Sequence, residues 1–250
     1  MSATIAEAVR KAGLTQKFDS PILKDYPENY IDPGRNFVVF RANYQGIAWN
    51  TNLVKNEEAP RSWEDLLNPK WKDKMAWSTA PSTGAPSIIS YFRMSWGEQK
   101  ALDYLNKLKL QNVRSLAGSV RTALDQVIAG DFAVGISMQM HHIAISKSAG
   151  APVDGYNPAP MAYPAHTYIV KGGPHPHTAM LFTDFLLSRD EGQTILRDAE
   201  YYPANQTVEP LASTRWTVPR LNGQTETVAD AIKLEEMSPR SIELYKSIFR

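Results

Sequence analysis

Short apolar runs spaced for strands alternate along this chain with stretches whose apolar positions recur every three to four residues. NFVVFRA (residues 36–42) and, after Asn43-Tyr44, QGIAWNTNLV read as two extended segments near a crossover. KMAWST (74–79) reads as a buried strand, and the loop APSTGAPS leads from it into IISYFRMSW, a helix apolar nearly all round. Ser62 ahead of Trp63-Glu64-Asp65 predicts a short capped helix that stops before Pro69. From Glu98 to Leu110 one stripe carries Ala101, Leu105 and Leu108. The next helix carries Val120, Ala123, Leu124, Val127 and Ile128, and ends at Gly130.

Phe132 to Met138 reads as a strand and Ala165 to Val170 as another, separated by a Gly/Pro-rich second crossover, SAGAPVDGYNPAPMAYPA. Thr4 is expected to cap a first helix whose Ile5, Ala8 and Val9 share a face, with Gly13 in the left-handed position after it. Pro176 is expected to open a helix with Ala179, Phe182 and Phe185 facing inward, and Glu191 to Ala199 supplies one more. Ser238-Pro239 is expected to cap a final helix bearing Ile242, Tyr245, Ile248 and Phe249. Strands alternating with helices of this length imply an α/β fold with helices covering a sheet.

Composition narrows the function classes. The 27 Lys and Arg residues nearly balance 26 Asp and Glu, leaving a net charge of +1, and no Lys/Arg run is present, so nucleic acid is not an expected partner. The absence of cysteine removes disulfides, thiol catalysis and Cys-based metal sites. No apolar stretch is long enough to span a membrane, and the opening MSATIAEAVRKAGL lacks the pattern of a signal peptide.

Candidate chemistry gathers at two loops that lead into helices, the usual place for ligands in α/β sheets. Ser82, Thr83 and Gly84 offer two hydroxyls and an unhindered backbone where a helix N-terminus favours an anion; the same residues also make an ordinary cap and turn. Ser119, Arg121 and Thr122, after Gly118, repeat the theme, with Arg121 either gripping a carboxylate or phosphate or lying on a solvated face. Met140-His141-His142 follows a strand, where adjacent imidazoles point apart, so packing or polar lining is preferred to metal binding. Tyr44, Trp49, Tyr201 and Tyr202 are candidates for a cleft wall or for core edge. No nucleophile elbow, P-loop or dinucleotide fingerprint is present, and the carboxylates Asp103 and Asp125 sit on surface-like helical positions.

SWEDLLNPKWKDKMAWSTAPSTG, ALDQVIAGDFAVGI and IVKGGPHPHTAMLFTDFLLSRDEGQTILRDAEYYPANQTV together resemble the extracellular solute-binding proteins of ABC importers, in the branch that includes ferric-ion-binding proteins. The resemblance covers most of residues 10 to 210. It implies an α/β, periplasmic-binding-protein-like (type II) two-lobe fold, a periplasmic location and an ABC permease partner. It leaves the first lobe incomplete: residues 1–49 and 161–250 as a remnant of lobe 1, and 50–160 as lobe 2. Exposed sheet edge on that remnant makes self-association an expectation.

Ferric binders of this branch carry adjacent tyrosines after the strand matching FAVGI, and here that place reads ISMQMHHIAIS. The expected ligand is therefore a small anion held by Ser82, Thr83, Gly84, Ser119, Arg121 and Thr122, with Met140 and His141 as an adjoining wall and no metal or cofactor. Fe(III) held by non-tyrosinate ligands, a degenerate binder without a working pocket, and an enzyme on a related two-lobe scaffold are the alternatives.

Overall fold

Two main sheets share the chain: the larger is built from one continuous stretch, the smaller from strands that precede and follow it. The computed structural model describes residues 1–250, opening with α1 (Ala3–Lys11), β1 (Thr15–Gln16), β2 (Val38–Ala42) and β3 (Gln45–Asn50). There follow β4 (Met75–Ser78), α2 (Ala85–Trp96), α3 (Glu98–Lys109), β5 (Arg114–Leu116), α4 (Val120–Ala129), β6 (Val134–Gln139), α5 (Met140–Ser148) and β7 (Val153–Tyr156). The last third holds β8 (Met161–Ala162), β9 (Ala165–Thr167), β10 (Ile169–Val170), α6 (Pro176–Leu187), α7 (Gly192–Asp198), β11 (Tyr202–Pro203), α8 (Ala212–Arg215), β12 (Thr227–Val228) and α9 (Ala231–Phe249).

The larger sheet runs β5-β4-β6-β3-β7, with β4 parallel to β5 and β6 and β3 antiparallel to β6 and β7. β3 and β4 are buried along their whole length, which is why QGIAWN and MAWS read as nearly unbroken apolar runs. On one face Ile47, Trp49 and Trp77 pack with Ile89 and Phe92 of α2, Leu105 of α3 and Tyr245 of α9. On the other, Ala48 and Met138 pack with Leu124 of α4 and Ile143 of α5. A smaller antiparallel sheet, β11-β2-β9, lies over a separate core that includes Phe18, Leu23, Tyr26 and Leu187. The chain returns to the larger unit between β11 and α9, and it also passes between the two units at Asn43 and at Tyr163. These residues hydrogen-bond in both directions, Asn43 N to Tyr163 O at 2.9 Å and Tyr163 N to Asn43 O at 2.7 Å.

Several expectations change. α1 turns Ala3, Ala6 and Glu7 inward and leaves Ile5 exposed, and Ser2 rather than Thr4 occupies its N-cap. The inward face is small because α1 lies against α9, and Glu7 is tolerated there because Arg10 meets its carboxylate with two 2.7 Å bonds. AHTYIV divides at Tyr168 into β9, paired with β2, and β10, paired with β1. α6 buries Thr183 and Leu187, while Phe182 and Phe185 face outward. A helix apolar on every side gives periodicity no face to choose.

The final helix starts eight residues earlier than expected. Asp230 caps it by accepting from the N–H groups of Ile232 and Lys233 at 2.9 and 3.2 Å, and Pro239 sits inside it. Met140, His141 and His142 lie on α5, not on a strand. The expected division at 49/50 leaves β3 outside the second lobe and assigns the C-terminal stretch to the first. Both β3 and α9 instead pack in the unit of the larger sheet.

Candidate functional site

β4 and β5 lie side by side and parallel, Ser78 opposite Leu116, so the loops after them emerge together. Ser78 ties them: its hydroxyl donates to Gly118 O at 2.8 Å and accepts from Ala80 N at 3.0 Å, while Thr79 N reaches Leu116 O at 2.9 Å. The first loop closes tightly onto α2. A Cβ at Gly84 would stand 2.3 Å from Ser78 O and 2.9 Å from Ala80 N, so only glycine fits this helix start.

Gln45, buried in β3, supports that loop from below. Its Nε2 donates to Thr83 O at 3.1 Å, and its Oε1 accepts from the Ser137 hydroxyl at 3.1 Å. Ser137 is buried with φ +61, and the register between β3 and β6 shifts beside it. Strained backbone of this kind persists only where its surroundings fix it. Here the bulge aims a hydroxyl at the glutamine that positions the loop.

The two units enclose a cleft of about 180 Å³. Pro81, Ser82 and Thr83 form one wall with Ser87 and Ser90 of α2; Arg41, Asn43 and Gln45 form another; Tyr163, Gln139, Ser238 and the start of α1 complete it. Among its eighteen lining residues there is one arginine and no Asp or Glu. Arg41 has no carboxylate partner. Its guanidinium stands 4.3 Å from the centre of the Tyr201 ring and 5.9 Å from that of Phe40, and its Nη1 is buried with no hydrogen-bond partner. Burial holds its pKa below the usual arginine value, a cost that an arriving anion would relieve.

The expected site residues divide. Ser82 and Thr83 line the cleft and Gly84 shapes its loop. Ser119 caps α4, accepting from Thr122 N at 3.1 Å with its hydroxyl 3.0 Å from that of Thr122, and both side chains are solvent-exposed outside the cleft. Arg121 is already engaged, with Asp125 Oδ1 at 2.9 Å and Ser146 Oγ at 3.1 Å. Met140 and His141 are each 1% exposed and belong to the core. His141 lies against His142 and Tyr201, ring centres 4.1 and 4.9 Å away, and neither of its ring nitrogens has a partner. Burial pushes its imidazole down to about 2, with His142, Arg41 and Arg121 adding to the effect. The position of the ferric binders' tyrosines therefore holds side chains turned into packing rather than toward a cation. Tyr44, Trp49 and Tyr202 are core as well, while Tyr201 is half-buried and carries Arg41.

Arg41 is the cleft residue that the sequence does not single out. Its one sequence signal is a charge interrupting the apolar strand VVFRA.

Comparison with known proteins gives the site its context. The family model of the bacterial extracellular solute-binding proteins matches residues 1–222. An uncharacterised Haemophilus influenzae protein is 28% identical over 199 residues, covering 73% of this chain and 55% of its own length. A Salmonella typhi protein described as a candidate 2-aminoethylphosphonate-binding periplasmic protein is 29% identical over 177 residues, covering 67% of this chain and 51% of its own. The chain thus spans about half the length of these curated relatives. The structure of the periplasmic binding protein AfuA from Actinobacillus pleuropneumoniae, with exogenous fructose 6-phosphate bound, superposes with a TM-score of 0.78 at 23% identity, over 99% of this chain and 80% of that one. The apo ferric ion-binding protein A of Pasteurella haemolytica gives 0.81 at 16% identity, with coverages of 99% and 80%. These likenesses establish the type II periplasmic-binding-protein fold, and the matched family, one of solute binders rather than enzymes, settles the kinship: this chain belongs to the bacterial extracellular solute-binding proteins.

Proposed function

We propose that the chain is the solute-binding component of an ABC-type importer, working outside the cytoplasmic membrane, and that it captures a small anion in the cleft between its two units. The observation that carries this reading is Arg41, a half-buried cation with an unpartnered Nη1 in a cleft that contains no carboxylate. Ser82 and Thr83, at the N-terminus of α2, face the same space and add hydroxyls and a favourable dipole end. A cation would meet a guanidinium, a positive helix end and no counter-charge. No helix of the chain is long and apolar enough to cross a membrane. In this reading, docking on a permease delivers the solute.

Thermal unfolding in the presence of inorganic phosphate, 2-aminoethylphosphonate, fructose 6-phosphate and spermidine tests the reading. A ligand at one hundred times its Kd adds about 2.7 kcal/mol, so at least one of the anions should raise Tm and spermidine should not. Arg41→Ala should weaken that anion about 10- to 150-fold in calorimetry, the equivalent of one charged hydrogen bond. Spermidine binding, or anion binding unchanged in the variant, would overturn the assignment.

A further inference from the structure

The cleft's unsatisfied groups say more about the solute than its charge. Four buried side-chain atoms that lack any hydrogen-bond partner belong to residues of this one cavity's wall: Arg41 Nη1, Asn43 Oδ1 and the Tyr163 hydroxyl at the chain crossings, and the Ser2 hydroxyl at the start of α1. Buried polar atoms are ordinarily paired, so a cluster of orphans beside a cavity specifies what must enter it.

The Asn43 amide is oriented, because its Nδ2 donates to Tyr163 O at 3.2 Å and leaves Oδ1 as the free acceptor. Arg41 asks for an acceptor, Asn43 for a donor, and the Tyr163 hydroxyl can serve either. Ser90 and Thr83 add polar atoms along the same wall. An ammonium could donate to Asn43, but it would be desolvated beside a guanidinium with no carboxylate in reach. An alcohol O–H donates to Asn43 and accepts from Tyr163 without carrying charge.

Building on the anion reading above, we infer that the solute is a hydroxylated anion, of the sugar-phosphate or polyol-phosphate kind, and that Asn43 and Tyr163 hold its hydroxyl-bearing body while Arg41 holds its anionic end. An aminated anion is the poorer fit. The hydroxyls supply selectivity and the charge supplies attraction.

Calorimetry on the full chain separates the contributions. Ethyl phosphate against fructose 6-phosphate, glucose 6-phosphate and glycerol 3-phosphate isolates the hydroxyls; ethylphosphonate against 2-aminoethylphosphonate isolates the ammonium. The tightest of the three hydroxylated esters should bind about tenfold or more better than ethyl phosphate, as one or two neutral hydrogen bonds allow. 2-Aminoethylphosphonate should bind no better than ethylphosphonate. Tyr163→Phe, which removes one oxygen and keeps the ring, should weaken that ester about three- to tenfold and leave ethyl phosphate within about twofold.

If 2-aminoethylphosphonate binds more tightly than ethylphosphonate and than all three esters, the hydroxyl assignment falls while the anion reading stands. Equal affinities for ethyl phosphate and the best ester, or a Tyr163→Phe effect common to both, also overturn it. Should none of the six anions bind, the anion reading itself fails, and this inference with it.

Discussion

Acidification from pH 7 to pH 5 should destabilise this fold steeply, because His141 and His166 are only 1% and 4% exposed. Burial pushes the imidazole of His141 down to about 2 and that of His166 to about 3, whereas in the unfolded chain both return to about 6.5. The folded values lie below the unfolded ones. As pH drops through the unfolded value, the unfolded chain therefore takes up protons that the native state refuses, and stability present at neutral pH is lost. For one such group, the ratio of proton-binding terms between pH 7 and pH 5 corresponds to about 2 kcal/mol, so the two together remove about 4 kcal/mol, a large part of a typical domain's 5–15. His142, lowered to about 4 but half-buried, adds a smaller share, and Glu226, raised by burial, works in the opposite direction.

Urea titrations at pH 7, 6 and 5 measure this directly. His141→Phe keeps a ring among the neighbouring aromatics and removes one titration. Because neither imidazole nitrogen has a partner, no hydrogen bond is lost. The variant should match the parent at pH 7 within about 1 kcal/mol and show about 2 kcal/mol less dependence on pH. A parent whose stability is flat to within about 1 kcal/mol from pH 7 to 5, or a variant that retains the parent's full pH dependence, refutes the argument.

Gly84→Ala pushes a Cβ into Ser78 O and Ala80 N, both backbone, and should cost about 1–3 kcal/mol and weaken phosphate binding. A parent-like Tm would show that the loop is not wedged there. Arg121→Ala should leave anion affinity within about twofold, since Arg121 serves Asp125 and Ser146; a tenfold loss in calorimetry would return it to the site. Leu181, Phe182 and Ile195 are 69%, 59% and 57% exposed. The chain should therefore self-associate in sedimentation velocity, and Phe182→Lys with Phe185→Lys should release it; a parent that sediments as a monomer would count against this.

Much of the fold could be read from the sequence, because its larger sheet is doubly covered and its helices α3 and α4 have one clean stripe each. Leu105 and Leu124 lie where their periodicity put them. The two loops leading into helices are legible as well, but only the first, with Ser82 and Thr83, reaches the cleft. Several of the misses turn on partners distant in the chain. Phe182 carries the same apolar signal as Leu187, and only the position of the smaller sheet's core tells them apart. Arg41 depends on Tyr201, 160 positions away, and an arginine in a strand reads as a solvated edge until that ring is placed beneath it. Arg121 failed in the opposite sense: the helix start suggested a ligand, but Asp125 one turn later already satisfies it.

The reciprocal bonds between Asn43 and Tyr163 have a mechanical corollary. If one unit turns against the other, these two crossings act as the axle, and atoms on an axle travel least. Arg41, Asn43 and Tyr163 lie on or beside the crossings, while Ser82 and Thr83 ride on an arm anchored in the larger sheet. A solute would then settle first on a seat that hardly moves, and gain the hydroxyls of the loop only as the angle narrows. Its escape rate would be governed by the swing of the arm, and its selectivity by the seat.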